Sequence, residues 1–341
     1  MPISILEVDL AKLKKIAPTD NSKAHLAGMM VSFFKAAGDP LRLDILRVLK
    51  KDSFGVQELA KIFGMAQPAM SHHLKLMTNA GLLESRRQGN SIFYRRALVR
   101  DDTQFSQLQI SLFAEIDALD LEGDFQVEME SIYQERAQRS QSFFEKNASE
   151  FLESQGKLCE LNHYLANMLE LLDIMHLPKH ANVLEVGPGQ GFFLKELSGR
   201  FRKLTALDNS EEMLGLAQKN LEFENRDIKF VQSALEDYQL QNDQPLFDVA
   251  VLNMVLHHMP SPAAVFEKLH KIVAMHGYLL IAELGAHNQD WTRESCGDIW
   301  LGFDSDELDE WALNSGFEEK QSLFLGLKNG FQIQLKLFQR L

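Results

Sequence analysis

The chain has 341 residues, with 35 Lys and Arg against 48 Asp and Glu and a formal net charge of −13, and this length allows two domains of about 150 residues each. Two cysteines without close spacing exclude a disulfide framework and a cysteine metal cluster, and no apolar run reaches the ~20 residues of a membrane span. Glu7 and Asp9 interrupt any apolar signal-peptide core, so we expect a cytoplasmic protein with free thiols at Cys159 and Cys296.

The charge is divided unevenly along the chain. Residues 1–100 contain 16 Lys and Arg against 8 Asp and Glu, whereas residues 101–341 contain 19 against 40. A basic module of charge +8 joined to an acidic one of charge −21 suits a protein that docks one end on phosphate. An acidic surface can also simply keep a cytosolic protein in solution, and we assign most of the second half to that cause.

The first half begins with helical patterns. Residues 24–50 contain two of them, broken at Gly38-Asp39-Pro40, where Asp39 can cap a helix that begins at Pro40. A shorter helix is predicted over Val56–Phe63, and it ends at Gly64, which can adopt the left-handed conformation of a tight turn.

The next helix, which begins near Gln67, has the composition of a DNA-recognition helix. Its apolar residues recur at helical spacing and are predicted to face the core: Met70, Leu74 and Met77. The polar face that remains can bind DNA, because Gln pairs with adenine, Ser and His donate hydrogen bonds, and Lys neutralises phosphate. We therefore predict DNA contacts from Gln67, Ser71, His72 and Lys75.

A basic hairpin is predicted directly after this helix. Residues 82–97 contain two strand-like runs around the turn signal Gln88-Gly89-Asn90. The hairpin has a single acid, Glu84, and four arginines: Arg86, Arg87, Arg95 and Arg96. Such a hairpin is typical of a wing that lies along the DNA backbone. We predict further DNA contacts from Arg86, Arg87, Asn90 and Arg95.

These residues resemble the ArsR/SmtB class of winged-helix repressors. The resemblance rests on KAAGDPLRLDILRVL and VQELAKIFGMAQPAMSHHLKLMTNAGLLESRRQGNSIFYRR, and it covers about the first 100 residues. It implies a homodimer that binds palindromic double-stranded DNA, the operator. The subunits are then joined through terminal helices, here the region before Gly28 and a helix near Gln104–Leu119.

The chain departs from this class at the metal-sensing pair of many members. The corresponding stretch, SFGVQEL, contains no cysteine. The adjacent His72 and His73 point about 100° apart on a helix and cannot converge on one metal ion. We expect one histidine that faces DNA, one that is partly buried, and no metal site.

A polar connector follows the basic module. Residues 103–150 have a helical pattern with Gly123 as a break, and their apolar anchors are Phe143, Phe144 and Phe151. Two compatible interpretations stay open. The segment is a solvated linker helix, or its part Phe143–Leu152 folds over a ligand of the second domain.

From residue 182 onward, apolar strand-like runs alternate with helical patterns. The runs are NVLEVG, KLTALD, IKFVQS, FDVAVLN and GYLLIAEL, and their uninterrupted apolar middles are typical of buried parallel strands. This pattern predicts a doubly wound α/β sheet, which binds ligands at the carboxyl ends of its strands. Residues 322–339 add two strand-like runs around Asn329-Gly330, a predicted closing hairpin.

A glycine-rich turn, Gly187-Pro188-Gly189-Gln190-Gly191, follows the first of these strands. Glycines allow close approach of a ligand, and the helix that follows offers unpaired N–H groups. Phe192 stands where a dinucleotide-binding fold has its third glycine, which argues against NAD. Asp208, 17 residues past Gly191, can accept both hydroxyls of a ribose or can cap the next helix, and we prefer the ribose role.

These residues resemble the class I S-adenosylmethionine-dependent methyltransferases. VLEVGPGQG matches their first motif, TALDNSEEML their second, and FDVAVLNMVLHHMPSPAAVFEKLHKIVAMHGYLLIAEL their fourth and fifth, over residues 182 to about 317. The resemblance implies an α/β, Rossmann-like domain with a seven-stranded, mostly parallel sheet that binds S-adenosylmethionine or S-adenosylhomocysteine. The residues it assigns to that ligand are Glu185, Gly187, Gly189, Gly191, Asp208, Asn209, Ala234, Leu235 and Asn253.

One departure concerns the adenine. Ala234 stands where such enzymes usually carry an acidic residue that binds the adenine amino group. Either Glu236 or Asp237 could substitute, or backbone and packing alone hold the ring.

The sequence leaves catalysis open, because methyl transfer needs positioning and, for some acceptors, a base rather than a universal catalytic residue. His257 and His258 follow the fourth strand and are weak candidates for a general base, and we prefer a structural role for them. The two cysteines are too few for the three-cysteine arsenite-binding set of arsenic methyltransferases.

The expected organisation is an N-terminal, mainly α winged helix-turn-helix domain for DNA binding and dimerisation over residues 1–120. A helical connector follows over residues 121–150, and a methyltransferase domain occupies residues 151–341. The fusion resembles the homocysteine-nucleoside-responsive repressors of methionine metabolism within the ArsR class. That resemblance implies a regulator whose small-molecule signal is S-adenosylmethionine or S-adenosylhomocysteine.

The alternative is an active methyltransferase on a small-molecule or protein acceptor, with autoregulatory DNA binding. An acceptor pocket would favour this alternative if it were lined by the aromatic residues Phe143, Phe144, Trp291 and Trp300. Those aromatics could equally belong to the core. A nicotinamide-dependent regulator fits the glycine spacing less well.

Overall fold

The computed structural model describes residues 20–341 except 101–103, 122, 148–155, 157, 222–226 and 241–243, with side chains from residue 25 onward. This part of the chain forms an N-terminal unit and a C-terminal unit, and a long helix contacts both. None of the helices in these ranges combines the length and the apolar character that crossing a membrane requires.

The N-terminal unit is mainly helical and carries a small sheet. Its helices are α1 (Asp20–Ala37), α2 (Pro40–Val48), α3 (Val56–Ile62), α4 (Gln67–Asn79) and α5 (Ser106–Asp117). Its strands are β1 (Phe54–Gly55), β2 (Leu83–Gln88) and β3 (Ser91–Arg96), and β3 pairs antiparallel with both others. This is the mainly α winged helix-turn-helix unit that the sequence predicts.

Local sequence signals set the ends of these elements. The Asp39 carboxylate accepts a hydrogen bond from the backbone N–H of Arg42 at 3.1 Å and caps α2, whose first residue is Pro40. Three side chains of α4 are fully buried at the predicted positions: Met70, Leu74 and Met77. The packing of α4 against this core leaves His72 exposed and His73 half-buried, as expected.

The connector contains a single long helix, α6 (Gly123–Asn147). Gly123 is its first residue, so the predicted break falls where α5 has ended and α6 begins. The buried residues of α6 follow one another at four-residue spacing: Ile132, Arg136 and Ser140. This spacing gives one buried stripe along the helix, and a charged residue lies in the middle of that stripe.

The C-terminal unit is a seven-stranded sheet with helices on both faces. Its strands are β4 (Asn182–Val186), β5 (Lys203–Asp208), β6 (Ile228–Gln232), β7 (Phe247–Asn253), β8 (Val273–Leu284), β9 (Phe317–Gly326) and β10 (Gln332–Arg340). Its helices are α7 (Leu165–Ile174), α8 (Phe192–Arg200), α9 (Glu211–Leu221), α10 (Pro262–Ile272), α11 (Trp291–Ser295) and α12 (Ser305–Asn314).

The strand order is β6-β5-β4-β7-β8-β10-β9. The first five strands are parallel, and β10 runs antiparallel to both β8 and β9. This confirms the predicted seven-stranded, mostly parallel sheet. Buried side chains of α7 and α8 pack on one face, and those of α10 and α12 pack on the other. The chain order reverses between β4 and β7, the place where such sheets bind ligands.

Candidate functional site

A cavity of about 540 Å³ opens at the carboxyl ends of β4, β5 and β7. This is the expected place for a ligand in a doubly wound sheet, and the volume lies within the range of small-molecule sites. Seven of the nine predicted ligand residues line it: Gly187, Gly189, Asp208, Asn209, Ala234, Leu235 and Asn253. The structure therefore brings together residues that the sequence spreads over more than 60 positions.

The other two predicted residues do not line the cavity. Glu185 is buried behind the lining, is 1% exposed, and has no hydrogen-bond partner for either carboxyl oxygen among the described residues. Burial raises the pKa of Glu185 to about 8. Gly191 begins α8, and a Cβ there would lie 3.3 Å from Cα of Ala217, so this glycine permits helix packing.

The glycine turn is shaped for a close approach of a ligand. Gly187 has φ +63°, and an added Cβ would lie 2.4 Å from Cγ2 of Val255, so a side chain has neither the conformation nor the space it needs. Gly189 has φ +56° and open space beside its Cα. The backbone at Gly189 therefore borders the empty part of the cavity directly.

Asp208 lies at the end of β5, where it borders the cavity and supports the turn before α9. Its Oδ1 accepts the backbone N–H of Ser210 at 2.9 Å, while the residue also lines the cavity. The cap of α9 is provided by Ser210, whose hydroxyl accepts the N–H of Met213 at 3.2 Å. Burial raises the pKa of Asp208 to about 6, although neighbouring backbone N–H groups oppose the shift.

The wall after β6 consists of Ser233, Ala234, Leu235 and Glu236. Ala234 contributes only backbone and a methyl group there. Of the two acidic substitutes that the sequence offers, Glu236 lines the cavity and Asp237 is not among the lining residues.

The two candidate bases differ in their surroundings. His258 lines the cavity, whereas His257 is 2% exposed and lies behind the wall. Burial opposes the charge of His257, but the facing carboxylates of Glu283 and Asp298 outweigh it and raise its pKa to about 9. Burial and the neighbouring His257 hold the pKa of His258 well below its usual range, so His258 is neutral.

The aromatic acceptor pocket that the sequence suggests is not assembled. Phe144 lines the cavity and lies edge-on to His258, with ring centroids 4.9 Å apart. Phe143 packs on Phe144, Trp300 packs on Phe93 of the N-terminal unit, and Trp291 lies at the surface. Three of the four aromatics thus serve packing or the surface.

Helix α6 forms the outer side of the cavity. Ala137, Ser140 and Phe144 all line it, which agrees with the interpretation that the connector folds over a ligand. The predicted segment Phe143–Leu152 is only partly visible, because residues 148–152 lie outside the described ranges.

The same helix holds the N-terminal unit through Arg136, which is 5% exposed. The Arg136 guanidinium donates to the Glu58 carboxylate at 3.0 and 2.6 Å and to the Pro260 carbonyl of the C-terminal unit at 3.0 Å. It also lies 4.8 Å from the ring centre of Trp300. Sequence reasoning missed this residue, and the only signal was a charge within an otherwise buried helical stripe.

A second link between the units surrounds Asp52, which is 4% exposed. Its carboxylate accepts hydrogen bonds from the Tyr133 hydroxyl at 2.8 Å and from the Ser261 hydroxyl at 2.6 Å. The Asp52 and Arg136 contacts join the helix-turn-helix, α6 and the segment that follows β7 into one packed body.

The recognition face of α4 is open to solvent. Gln67, His72 and Lys75 are exposed, and Ser71 is half-buried. Near the hairpin turn, the side chains of Arg87 and Asn90 are exposed as well.

The other predicted wing residues are held by the C-terminal unit, and here the structure differs from the sequence prediction. Arg86 donates to the Gly302 carbonyl at 2.9 Å. Arg95 donates to Glu84 of its own hairpin at 2.8 Å, and its other terminal nitrogen lies 3.3 Å from the Glu307 carboxylate. Gln88, between them, is buried and accepts a hydrogen bond from Arg293 at 2.8 Å. The acidic start of α12 attracts these arginines, so they are not presented to DNA in this structure.

Two family models match the chain in separate parts. One described as a bacterial regulatory protein of the arsR family matches residues 39–85, and one described as a methyltransferase domain matches residues 153–322. The transcriptional repressor SdpR of Bacillus subtilis is 35% identical over 65 residues, which are 19% of this chain and 72% of SdpR. The regulator NmtR of Mycobacterium tuberculosis is 38% identical over 78 residues, 23% of this chain and 62% of NmtR.

The second half matches methyltransferases. A ubiquinone biosynthesis O-methyltransferase of Yersinia pestis is 25% identical over 119 residues, 35% of this chain, and the chain spans about half (49%) of that relative. The magnesium protoporphyrin IX methyltransferase of Synechocystis PCC 6803, solved with bound SAM, has a TM-score of 0.48 and 15% identity. The similarity covers 60% of this chain and 97% of that structure.

Proposed function

Because the chain belongs to the arsR family of bacterial regulatory proteins and carries a methyltransferase domain behind its DNA-binding module, we propose that it is a cytoplasmic transcriptional repressor with a small-molecule signal. Its signal is S-adenosylmethionine or S-adenosylhomocysteine, and its targets are genes of the methionine and S-adenosylmethionine cycle. The observation that carries this proposal is that α6 lines the cavity and holds the DNA-binding module at the same time.

The residues around the cavity suit an adenosyl ligand. The Gly189 backbone leaves open space for a close approach, the Asp208 carboxylate can accept ribose hydroxyls, and Glu236 is an acidic group on the wall after β6. S-adenosylmethionine supplies an activated methyl group when it is bound. This chain's own residues bind and orient the nucleoside and exclude water from it.

The path from ligand to DNA runs through α6. A ligand that touches Ala137 and Ser140 acts within one helical turn of Arg136, whose guanidinium fixes Glu58 in α3. Helix α3 packs on the recognition helix α4. A ligand can shift DNA affinity only if it binds more tightly to one arrangement of these elements than to the other.

The docked wing supports a regulatory role. With Arg86 and Arg95 held by α12 and its preceding loop, this arrangement withholds two cations from DNA. An alternative arrangement with the wing released would present them to phosphate, so two states of different DNA affinity are available to a ligand.

The homodimer is also part of the proposal. Helix α1 exposes five large apolar side chains: Leu26, Met29, Met30, Val31 and Phe34. So many exposed apolar side chains on one helix are unusual on a monomer and mark an interaction surface. We assign it to a second copy of this chain, in line with the terminal-helix dimers that the family resemblance implies.

The test is a DNA titration at fixed salt. Labelled DNA from the protein's own promoter is mixed with purified protein, alone and with either nucleoside, and fluorescence anisotropy reports binding. We expect one nucleoside to change DNA affinity at least several-fold. The matched control is Asp208→Asn, which should keep DNA binding and lose the response.

Calorimetry on the same samples separates two failures. If both nucleosides bind and DNA affinity stays constant, the sensor proposal is wrong and a methyl acceptor must be sought. If neither binds, the assignment of the cavity to an adenosyl ligand is wrong.

An active methyltransferase is the second candidate, and the position of His258 favours it. Its imidazole lies on the cavity wall, where it can contact the acceptor group. Formation of S-adenosylhomocysteine from S-adenosylmethionine in the presence of small-molecule and protein fractions tests it. If the wild type forms S-adenosylhomocysteine and His258→Ala does not, catalysis is supported. If both proteins show only the same background rate, the methyltransferase candidate is rejected.

A further inference from the structure

A cluster of two histidines and one aspartate lies behind the cavity wall. His257, His258 and Asp298 are all buried, and one donor atom of each lies within 4.8 Å of the other two. Oδ1 of Asp298 lies 3.7 Å from Nε2 of His257 and 3.9 Å from Nδ1 of His258. Ligands at about 2.1 Å from a tetrahedral metal are roughly 3.4 Å apart, so small movements suffice to close a site.

Glu283 fixes the orientation of His257. Its carboxylate accepts the backbone N–H groups of His257 at 3.1 Å and Leu284 at 2.6 Å, and it lies 2.5 Å from Nδ1 of His257. A proton on Nδ1 leaves Nε2 as the nitrogen that faces Asp298. A carboxylate behind a histidine in this way is the arrangement that positions metal-binding histidines.

Asp298 is a buried carboxylate that is only partly compensated. No described residue forms a hydrogen bond of normal geometry with either of its oxygens, although the Thr292 hydroxyl faces it and His257 and Arg293 offset part of its charge. Buried charged oxygens are nearly always paired, hydrogen-bonded or bound to a metal ion. A cation between Asp298 and the two imidazoles would remove the cost of burying it.

The three donors are two imidazole nitrogens and one carboxylate oxygen. This set suits a borderline divalent transition metal rather than Mg²⁺ or Ca²⁺, which prefer oxygen ligands alone. Nδ1 of His258 lies 3.2 Å from the Gly297 carbonyl, so a metal ion at Nδ1 takes the place of that hydrogen bond.

We propose that His257, His258 and Asp298 bind one divalent transition-metal ion of the zinc type. The ion binds Nε2 of His257, the nitrogen that faces Asp298. The sequence gives no sign of this site, because Asp298 lies 40 residues from His258 and neither residue belongs to a spaced metal motif.

The ion has a structural role on the surface that receives the wing. The His257 carbonyl accepts the N–H groups of Ile299 and Trp300 at 3.0 and 3.1 Å, so His257 already anchors the loop that contains Asp298. The next residue, Leu301, donates its N–H to Gln88 of the wing at 3.3 Å. A metal ion between Asp298 and the histidines fixes this loop where the wing docks.

The test is a Zn²⁺ titration of the purified full-length protein, stripped with a chelator and desalted, in competition with a chromophoric chelator. We expect one tight equivalent for the wild type. Asp298→Asn and His257→Gln should each weaken it at least tenfold, and Glu283→Gln should weaken it while keeping the 1:1 ratio. His180→Asn, which changes an exposed histidine, should match the wild type.

Equal Zn²⁺ affinity and stoichiometry in the wild type and in Asp298→Asn would overturn the proposal. If circular dichroism shows that the variants do not fold, Co²⁺ absorption of the wild type decides. Intense tetrahedral d–d bands support the site, and the weak spectrum of hydrated Co²⁺ rejects it. No DNA or nucleoside enters these measurements, so their failure leaves the proposed function standing.

Discussion

Glu185 is a carboxylic acid enclosed in the sheet, and its burial makes stability depend on pH. Its pKa is raised from 4.5 in the unfolded chain to about 8 in the folded one. Between these pH values the folded protein keeps a proton that the unfolded chain has released. The contribution of Glu185 to the free energy of unfolding is therefore largest below about pH 5 and decreases as the pH rises toward 8. Asp208 and Asp298 act in the same direction over a narrower range.

Glu185→Gln should reduce this dependence, because the amide carries no titrating proton. We expect the midpoint of thermal unfolding of the ligand-free wild type to fall by on the order of 5–10 °C between pH 5.5 and pH 8, and that of the variant to fall clearly less. Differential scanning calorimetry measures both. Glu170→Gln, at an exposed position of α7, should behave as the wild type does, and an unchanged pH slope in Glu185→Gln would contradict the assignment.

Residues whose role is local could be predicted, and residues whose partners are distant could not. Gly187 and Asp208 belong to short motifs whose geometry follows from a strand and the turn after it. Arg86 has the exposed chemistry of a DNA contact in its own hairpin, but its acceptor is the Gly302 carbonyl, 216 positions away. Spacing along the chain carries no information about such a partner.

At the scale of elements, the ion pair between Arg136 and Glu58 is one of the contacts that hold α6 on the N-terminal unit. Arg136 and Glu58 form two parallel hydrogen bonds, a geometry that lysine cannot reproduce. Arg136→Lys keeps the charge and leaves one carboxylate oxygen without its donor. We expect a loss of about 2 kcal/mol of unfolding free energy, measured by urea denaturation.

The same variant should weaken the link between ligand and DNA. Nucleoside binding, measured by calorimetry, should stay near the wild-type value, while the effect of the nucleoside on DNA affinity shrinks. Arg139→Lys changes an exposed arginine of the same helix and is the matched control. A full ligand response in Arg136→Lys would show that coupling does not run through this pair.

The sheet illustrates what apolar patterns can and cannot predict. The five parallel strands were predicted because burial on both faces demands continuous apolar residues. Strand β9 begins at Phe317, five residues before the predicted run at 322. The four residues after Phe317 are the polar sequence EEKQ. Hydrogen bonding to β10 at the sheet edge defines those residues as a strand, and edge pairing leaves no hydrophobic signal.

At the scale of the whole molecule, the two halves of opposite charge meet each other. Asp304 and Glu307 lie 3.9 and 3.3 Å from the guanidinium of Arg95. The sequence reveals the division of charge and predicts that the basic half binds phosphate. It does not predict that arginines of the basic half also bind carboxylates of the acidic half. Which acidic group meets which arginine depends on how the units dock, and this is set by the contacts of Asp52 and Arg136.

Removing these carboxylates should release the wing. The double variant Asp304→Asn, Glu307→Gln removes the carboxylates that attract Arg86 and Arg95 to α12, although the Gly302 carbonyl and Glu84 remain as acceptors. It is expected to bind promoter DNA several-fold more tightly, because a wing that is held less firmly leaves α12 more readily for phosphate. Anisotropy titration at fixed salt measures it. Glu294→Gln, an exposed change on α11, should have no effect, and unaltered affinity in the double variant would mean that the docked wing does not restrain DNA binding.

The exposed apolar side chains of α1 predict that two copies of the chain associate through this helix. Phe34→Glu places a charge at a side chain that is 54% exposed, and we expect the dimer to dissociate into monomers in sedimentation experiments. Met275→Glu, which changes a side chain of similar exposure on β8, is the control. A dimer that survives Phe34→Glu would place the subunit interface elsewhere.

Arg86 and Arg95 are bound by carbonyl and carboxylate groups of the protein itself. This also changes how many counterions are released when the protein binds DNA. Each protein cation placed on a phosphate displaces close to one condensed counterion, which sets the slope of log affinity against log salt concentration. A protomer that binds with its wing docked should therefore have a slope smaller by about 2 than one that first releases Arg86 and Arg95. The change in this slope when nucleoside is added therefore gives the number of arginines that move from internal partners to DNA phosphates.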